Sequence, residues 1–182
     1  ERIAQEVAQL LKAGGETLSV GVITFYAAQR ELIMEKLSEI RLEGVPLMEK
    51  RNGTYEPHEN FRWVRKYRAD GSFSQEERLR VGSVDAFQGK EFDVVLLSCV
   101  RTWRQPRSSS AADDAAAREQ MLNELFGFLR LPNRMNVAMS RQRQMLLCFG
   151  DAALATAPEA LEAAPALAAF HTLCGGVHGT LR

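Results

Sequence analysis

Residues 83–98 read SVDAFQGKEFDVVLLS, with Ser83, Asp85, Gln88, Gly89, Lys90 and Glu91 grouped just before the most apolar run of the chain. A hydroxyl, a glycine and main-chain N–H groups at a tight turn can hold a phosphate without a full positive charge. The phosphate-loop signature GxxxxGK[ST] does not fit. Six residues separate Gly82 from Gly89, and Glu91 stands where a magnesium-binding hydroxyl would be, so that an acid would repel the phosphates. No other stretch qualifies. A strand-end site remains: Ser83 closes a strand, and open α/β sheets take ligands beyond the carboxyl ends of their strands. Taken alone, the same residues also read as a Ser cap, a Gln-Gly turn and a solvated Lys-Glu pair, and spacing does not choose between the two.

Three further stretches carry candidate chemistry. In PNRMNVAMSRQR (132–143) a helix with Pro132 in its first turn places Arg134, Val137 and Arg141 on one face, with Met135, Ala138, Met139 and Gln142 beside them. That helix can dock by its apolar side and present two arginines, or it can simply carry a solvated basic face. In VGVITFYAAQRELI (20–33), Thr24 and Tyr26 end a strand and Arg30 follows on a helix. In FRWVRKYR (61–68), strand alternation puts Phe61, Trp63 and Tyr67 on one face and Arg62, Lys66 and Arg68 on the other. This is either a stacking platform for bases or, as preferred here, aromatics covering a sheet edge beneath a solvated basic face.

The elements that must position these groups alternate in α/β fashion. RIAQEVAQLLK (2–12) is a helix burying Ile3, Val7, Leu10 and Leu11, stopped by Gly14-Gly15. Residues 18–26 form a buried parallel strand, and 27–40 form a helix with Leu32, Ile33, Leu37 and Ile40 inward. Residues 41–78 break the rhythm with turn formers and a hairpin about Asp70-Gly71. Strands resume over 78–85 and 92–100. Residues 103–117 read as a flexible surface loop, 118–129 as a short helix, 144–151 as a strand, and 158–174 as a closing helix interrupted near Pro165.

Charge balances, 23 basic against 23 acidic residues, so no global field announces a nucleic-acid partner. Only five basic residues are lysines (12, 36, 50, 66 and 90), a bias that leans towards anion recognition and that a GC-rich coding sequence would equally produce. Cys99, Cys148 and Cys174 lack CxxC spacing, which speaks against a disulfide framework and a zinc site. No transmembrane run or signal peptide is visible. With Glu1 inside an apparent helix and no initiator Met, the chain reads as one domain excised from a longer protein.

Together, VGVITFYAAQRELI, RVGSVDAFQGKEFDVVLLSCVR and FGFLRLPNRMNVAMSRQRQMLLCFGD resemble the second RecA-like lobe of superfamily-one helicases. The likeness is nearest to the nonsense-mediated-decay helicase group and its bacterial relatives, and it spans most of residues 18–151. It implies a three-layer RecA-like parallel sheet of the P-loop NTPase type, flanked by helices and carrying an inserted β-hairpin. It implies ATP and Mg²⁺ shared with an N-terminal lobe that lies outside this sequence. Arg141 matches the family's arginine finger and Arg30 a second arginine. Glu91, with Gln88, Gly89 and Arg134, falls on the nucleotide side. Ser83 and Val84, with Thr24 and Tyr26, fall on single-stranded DNA or RNA. Phe25, Lys90, Ser140 and Gln142 depart mildly from the family pattern. The short spacing from Arg30 to Ser83 and the Phe-Gln-Gly turn argue against the repair-helicase branch and for 5′→3′ movement. The expectation is the C-terminal motor domain of an ATP-dependent helicase, monomeric and inert towards ATP by itself, in a cytoplasmic or nucleoid-associated enzyme. The alternative is a helicase-derived module that binds nucleic acid or protein without catalysis.

Overall fold

The computed structural model describes residues 1–103 and 115–181. In chain order it contains α1 (Arg2–Ala13), β1 (Val20–Thr24), α2 (Ala27–Glu39), β2 (Arg41–Leu42), β3 (Val45–Pro46), β4 (Met48–Arg51), β5 (Thr54–Pro57) and α3 (Glu59–Arg62). Then follow β6 (Trp63–Tyr67), β7 (Phe73–Glu77), β8 (Leu79–Ser83), β9 (Phe92–Ser98), α4 (Ala115–Phe126) and α5 (Pro132–Ala138). The last elements are β10 (Gln142–Phe149), α6 (Ala152–Thr156), α7 (Ala160–Ala163) and α8 (Pro165–Cys174). Among the described residues no helix is long and apolar enough to cross a membrane.

The continuous apolar runs at 20–24 and 92–98 become β1 and β9, which are buried along their whole length because helices cover both faces. They form the centre of a parallel sheet ordered β10-β9-β1-β8. Alternation divides the core in two. Val20, Val22, Leu79, Val94 and Leu96 pack with Ile3, Val7 and Leu11 of α1 and Ile33, Met34 and Leu37 of α2. Ile23, Val95 and Leu97 pack on the opposite face with Leu122, Phe126, Met135, Ala138 and Leu167 from α4, α5 and α8. Helix, sheet and helix make the three layers of a RecA-like, P-loop-NTPase-type fold. Gly21 is needed for close approach: a Cβ there would lie 2.7 Å from a ring carbon of Phe87, which packs against the strand beside Phe92.

Register brings three hydroxyls into one row. Thr24 lies opposite Ser83 on one neighbour and Ser98 on the other. The carboxyl ends of β8, β1 and β9 are thus level.

Some expectations change. Leu32 is exposed and Met34 is buried in its stead, because the helix turns its 33/34/37 stripe inward. The hairpin expected about Asp70-Gly71 is present as β6–β7, but two further two-stranded ribbons, β2–β3 and β4–β5, precede it in the insertion. The first two turn through Glu43-Gly44 and Asn52-Gly53, all at positive φ, which suits the twist of a two-residue hairpin loop. Phe61 belongs to α3 and is buried, whereas Trp63 and Tyr67 are exposed, so the aromatics of β6 do not cover the sheet edge. The helix expected over 132–143 stops at Ala138, and Gln142 and Arg143 already belong to β10. Pairing of Gln142 with Phe92 draws the chain into the sheet before another helical turn can form. Of the loop expected at 103–117, residues 104–114 lie outside the described residues, and Ala115 begins α4. The closing helix is broken at Pro165 as expected.

Candidate functional site

At the carboxyl edge, Thr24 and Ser98 are buried and Ser83 is half-buried. Thr24, Ser83 and Ser98 share the sheet face that α2 covers, since Val22, Val81 and Leu96, two residues earlier in each strand, lie on that side. Gln29, in the first turn of α2, donates to Ser98 Oγ at 3.3 Å. A cleft of 350 Å³ opens beside it, lined by Arg2, Gln29, Leu32, Lys36 and Ser98 among others. No side chain caps the start of α2, whose free N–H groups and dipole favour an anion. Arg30 follows in that turn, paired to Glu31 at 2.6 Å.

Tyr26 is anchored: its hydroxyl accepts from Arg101 Nε at 2.8 Å, and its ring lies 5.3 Å from that of Phe128. Gly127, at φ 52°, leaves room for both partners, since a Cβ would lie 2.5 Å from the Tyr26 oxygen. Arg134 also belongs to this edge. It bonds Asp85 at 3.2 Å and lies over the Phe128 ring. The Val84 side chain is in the core, which leaves only its main chain for contact with a ligand.

The opposite edge holds the other candidates. After β8 the chain makes a single 3-10 turn, Val84–Phe87, and then the turn 87–90, closed by Lys90 N donating to Phe87 O at 3.0 Å. Gln88 at φ −59°, ψ 126° and Gly89 at φ 74° make this a type II turn. Nothing lies within 4 Å of a Cβ at Gly89, so the glycine is required for its backbone angle alone. Glu91 is exposed and meets Arg143 at 3.4 Å.

Arg141 sits in the turn between α5 and β10. Its carbonyl accepts from Phe92 N at 2.9 Å, its Nε donates to Val137 O at 3.1 Å, and one terminal nitrogen donates to Ser140 Oγ at 2.7 Å. It is half-buried, and among the described residues no carboxylate pairs with it. A cation at a helix carboxyl end also suits the helix dipole. The neighbouring Arg143 is the reverse case, tied to Glu76 at 2.8 Å and to Glu91. Burial works against its charge, but Glu76 and Glu91 outweigh it and hold the guanidinium more firmly protonated.

The fold therefore sorts the candidates into two groups. Arg141, Glu91, Gln88 and Gly89 gather where β9 and β10 begin; Ser83, Thr24, Tyr26, Arg30 and Arg134 gather where the strands end. Phe92 and Ser98 mark the two ends of β9, about 20 Å apart at ~3.3 Å per residue. Arg30 rises on the α2 face and Arg141 leaves the α5 face, so the two arginines do not meet at one point.

One cluster escaped the sequence reading. Asp93, 4% exposed, accepts from Ser19 N and Oγ, both at 2.8 Å, and from Lys66 Nζ, while Arg143 lies 3.8 Å away. Burial would raise its carboxyl, but the bonds from Lys66 and Ser19 prevail and hold it below the usual range. Lys66 also donates to Thr17 O at 2.6 Å, so the cluster pins the β6–β7 ribbon to the start of the sheet. An acid in an otherwise apolar strand was the available signal.

A family model described as an AAA domain matches residues 1–153. The chain is 30% identical over 145 residues to a regulator of nonsense transcripts 1 homolog from Neurospora crassa, covering 80% of this chain and 9% of that protein. Over 147 residues it is 28% identical to the ATP-dependent helicase NAM7 of Saccharomyces cerevisiae, covering 80% and 10%. It is likewise 28% identical over 145 residues to the 5'-3' DNA helicase ZGRF1 of Mus musculus, covering 80% and 5%. The chain thus spans a tenth or less of the length of these relatives.

Proposed function

Because the chain belongs to the AAA domain family and is a helicase-like domain, we propose that it is the C-terminal motor lobe of an ATP-dependent superfamily-one helicase. The observation that carries this reading is Arg141: a half-buried arginine held by Val137 O and Ser140 Oγ, with no carboxylate among the described residues to neutralise it. An arginine so prepared is suited to the charge that spreads over a transferred phosphoryl group, a role worth about 10³–10⁵ in rate. Glu91 and Arg143 stand beside it as orienting groups for the nucleotide or its neighbours. The type II turn at Gln88-Gly89 links that edge to Ser83.

The chain offers ATP a cation and donors but no glycine-rich phosphate loop. Among the described residues no cluster of three or more His, Cys, Asp or Glu side chains could hold a metal. On the family resemblance, the phosphate cradle and magnesium ligands are assigned to a first lobe, and closure of the two lobes on the nucleotide would drive movement.

The strand-end group is assigned to single-stranded DNA or RNA. The Ser83 hydroxyl, the start of α2 and Arg134 would bond phosphates, adding affinity without base identity. Arg30 is placed with this group. A cation in the first turn of a helix is disfavoured by the helix dipole unless an anion is near; Glu31 fills that role at 2.6 Å, and a backbone phosphate would take its place. The test compares residues 1–182 with the full-length protein that contains them. Turnover of ATP stimulated by single strands is expected only for the latter; stimulated turnover by residues 1–182 alone would overturn the assignment.

A further inference from the structure

The β6–β7 ribbon presents an outward face that neither edge of the sheet explains. Its register pairs Trp63 with Glu77, Val64 with Glu76, Arg65 with Gln75, Lys66 with Ser74 and Tyr67 with Phe73. Val64 and Lys66 turn inward, and Lys66–Asp93 and Glu76–Arg143 lock that side to the sheet. Alternation then sends Trp63, Arg65 and Tyr67 outward beside Phe73 and Gln75. The three aromatic residues are 49%, 69% and 53% exposed. Phe73 is flanked by the Tyr67 ring, 6.0 Å centroid to centroid, and by the Arg65 guanidinium at 5.2 Å. The tip is ordered by Asp70, which accepts from Ser72 N at 2.9 Å and Ser72 Oγ at 2.6 Å.

We propose that this face is a stacking strip for two or three bases of a single strand, separate from the strand-end phosphate contacts. The proposal rests on the reading that the chain handles single-stranded nucleic acid. Three observations select that occupant. Exposed aromatics on a ribbon locked from behind are rigid platforms, and a base offers the matching π-face whatever its identity. The strip interleaves aromatics with a cation and a carboxamide and has no aliphatic side chain, unlike the apolar centre of a protein interface. The strip also runs into cations: Glu77, beside Trp63, is overmatched by Lys90 and Arg80, each bonding it at 2.8 Å. Lys90 belongs to the Gln88-Gly89 turn, so the strip leads from the ribbon tip to the candidate site. Trp63 and Tyr67 are four strand positions apart, about 13 Å, a span suited to bases splayed out from one another. A duplex hides its base faces and is not expected to bind there.

The test uses the two tryptophans of the chain, Trp63 and Trp103. In a Trp103→Phe background, emission reports Trp63 alone while anisotropy of a labelled oligothymidylate reports total binding. Saturable quenching of Trp63 by the single strand and not by a duplex is expected. The double variant Tyr67→Ala, Phe73→Ala, at exposed positions, should weaken binding about tenfold or more. Ser83→Ala should shift the midpoint yet leave full quenching at saturation. Saturated anisotropy with unchanged Trp63 emission, or unaltered binding by the double variant, overturns the strip while leaving the strand-end reading intact. Loss of wild-type self-association in the double variant makes the face a protein interface and overturns it too. An oligothymidylate that does not bind at all overturns both readings.

Discussion

Asp93→Asn probes how the inserted ribbons are held to the motor sheet. The carboxylate is buried, accepts two bonds from Ser19 and faces two cations, Lys66 and, at 3.8 Å, Arg143. Removing one member of a buried pair costs about 3–5 kcal/mol, because the other charge is left without compensation. Two features place this site at the lower end. The Lys66 side chain keeps 25% of its surface in water, and Arg143 retains Glu76. Asparagine also keeps one oxygen for Ser19. The expected loss is about 3 kcal/mol at neutral pH. The Asp93 carboxyl is held below its ordinary range in the folded chain. Its contribution is therefore complete above the unfolded value of about 3.9 and is lost as pH falls through the folded value. Urea unfolding of wild type and Asp93→Asn, followed by circular dichroism from pH 7 to pH 3, reads both quantities. The gap between them should be widest at neutral pH and close on acidification. A gap under about 0.5 kcal/mol at pH 7, the size of an ordinary surface change, or one that persists unchanged to pH 3, would mean that the Asp93 carboxylate does not hold the ribbons.

Gly89→Ala should destabilise by about 1–2 kcal/mol, the cost of a left-handed backbone for a residue with a Cβ. Gly89→Asn should cost less, and equal losses for the two, read by the same unfolding assay, would mean that backbone angle is not the constraint. Cys99 and Cys148 lie 3.6 Å apart at sulfur. Bonding to Cys148 and burial raise the Cys99 thiol, while the bond from Cys99 lowers Cys148. Maleimide should label Cys148 at least about tenfold faster than Cys99, and equal rates by mass spectrometry would contradict the pairing. Ser83→Ala should weaken single-strand binding about tenfold, as loss of one bond to a charged phosphate implies, and by the same factor for every base composition; an anisotropy series that shows base-selective loss would argue against a phosphate contact.

The sheet was legible because its strands are unbroken apolar runs whose burial on both faces leaves little choice of structure. Lengths at the ends were not. Arg141 was expected one turn further along a helix, since MNVAMSRQR keeps helical spacing. The long-range pairing of Gln142 with Phe92 stops that helix, and such pairing leaves no mark in local periodicity. The same limit explains the two arginines. Sequence places Arg30 and Arg141 in one motif set, but only the strand register reveals that they rise from opposite ends and faces of the sheet. The Ser83 and Thr24 hydroxyls could be read as strand ends; their alignment with Ser98 could not. Asp93 was hidden inside FDVVLLS because its partners, Ser19, Lys66 and Arg143, are drawn from three distant segments. The ribbon aromatics were assigned to the wrong side because Phe61 and Trp63, two positions apart, fall on either side of a helix–strand junction.

In this reading Arg141 completes an ATP site supplied by another lobe. The deciding variant is Arg141→Ala in the full-length protein, measured by single-strand-stimulated ATP turnover and, separately, by binding of a fluorescent nucleotide. Turnover should fall about 10³-fold or more with nucleotide affinity little changed, and Arg141→Lys should not restore it, because an ammonium lacks the planar fork. Near-normal turnover in Arg141→Ala, or a loss accounted for wholly by weaker nucleotide binding, would contradict that role.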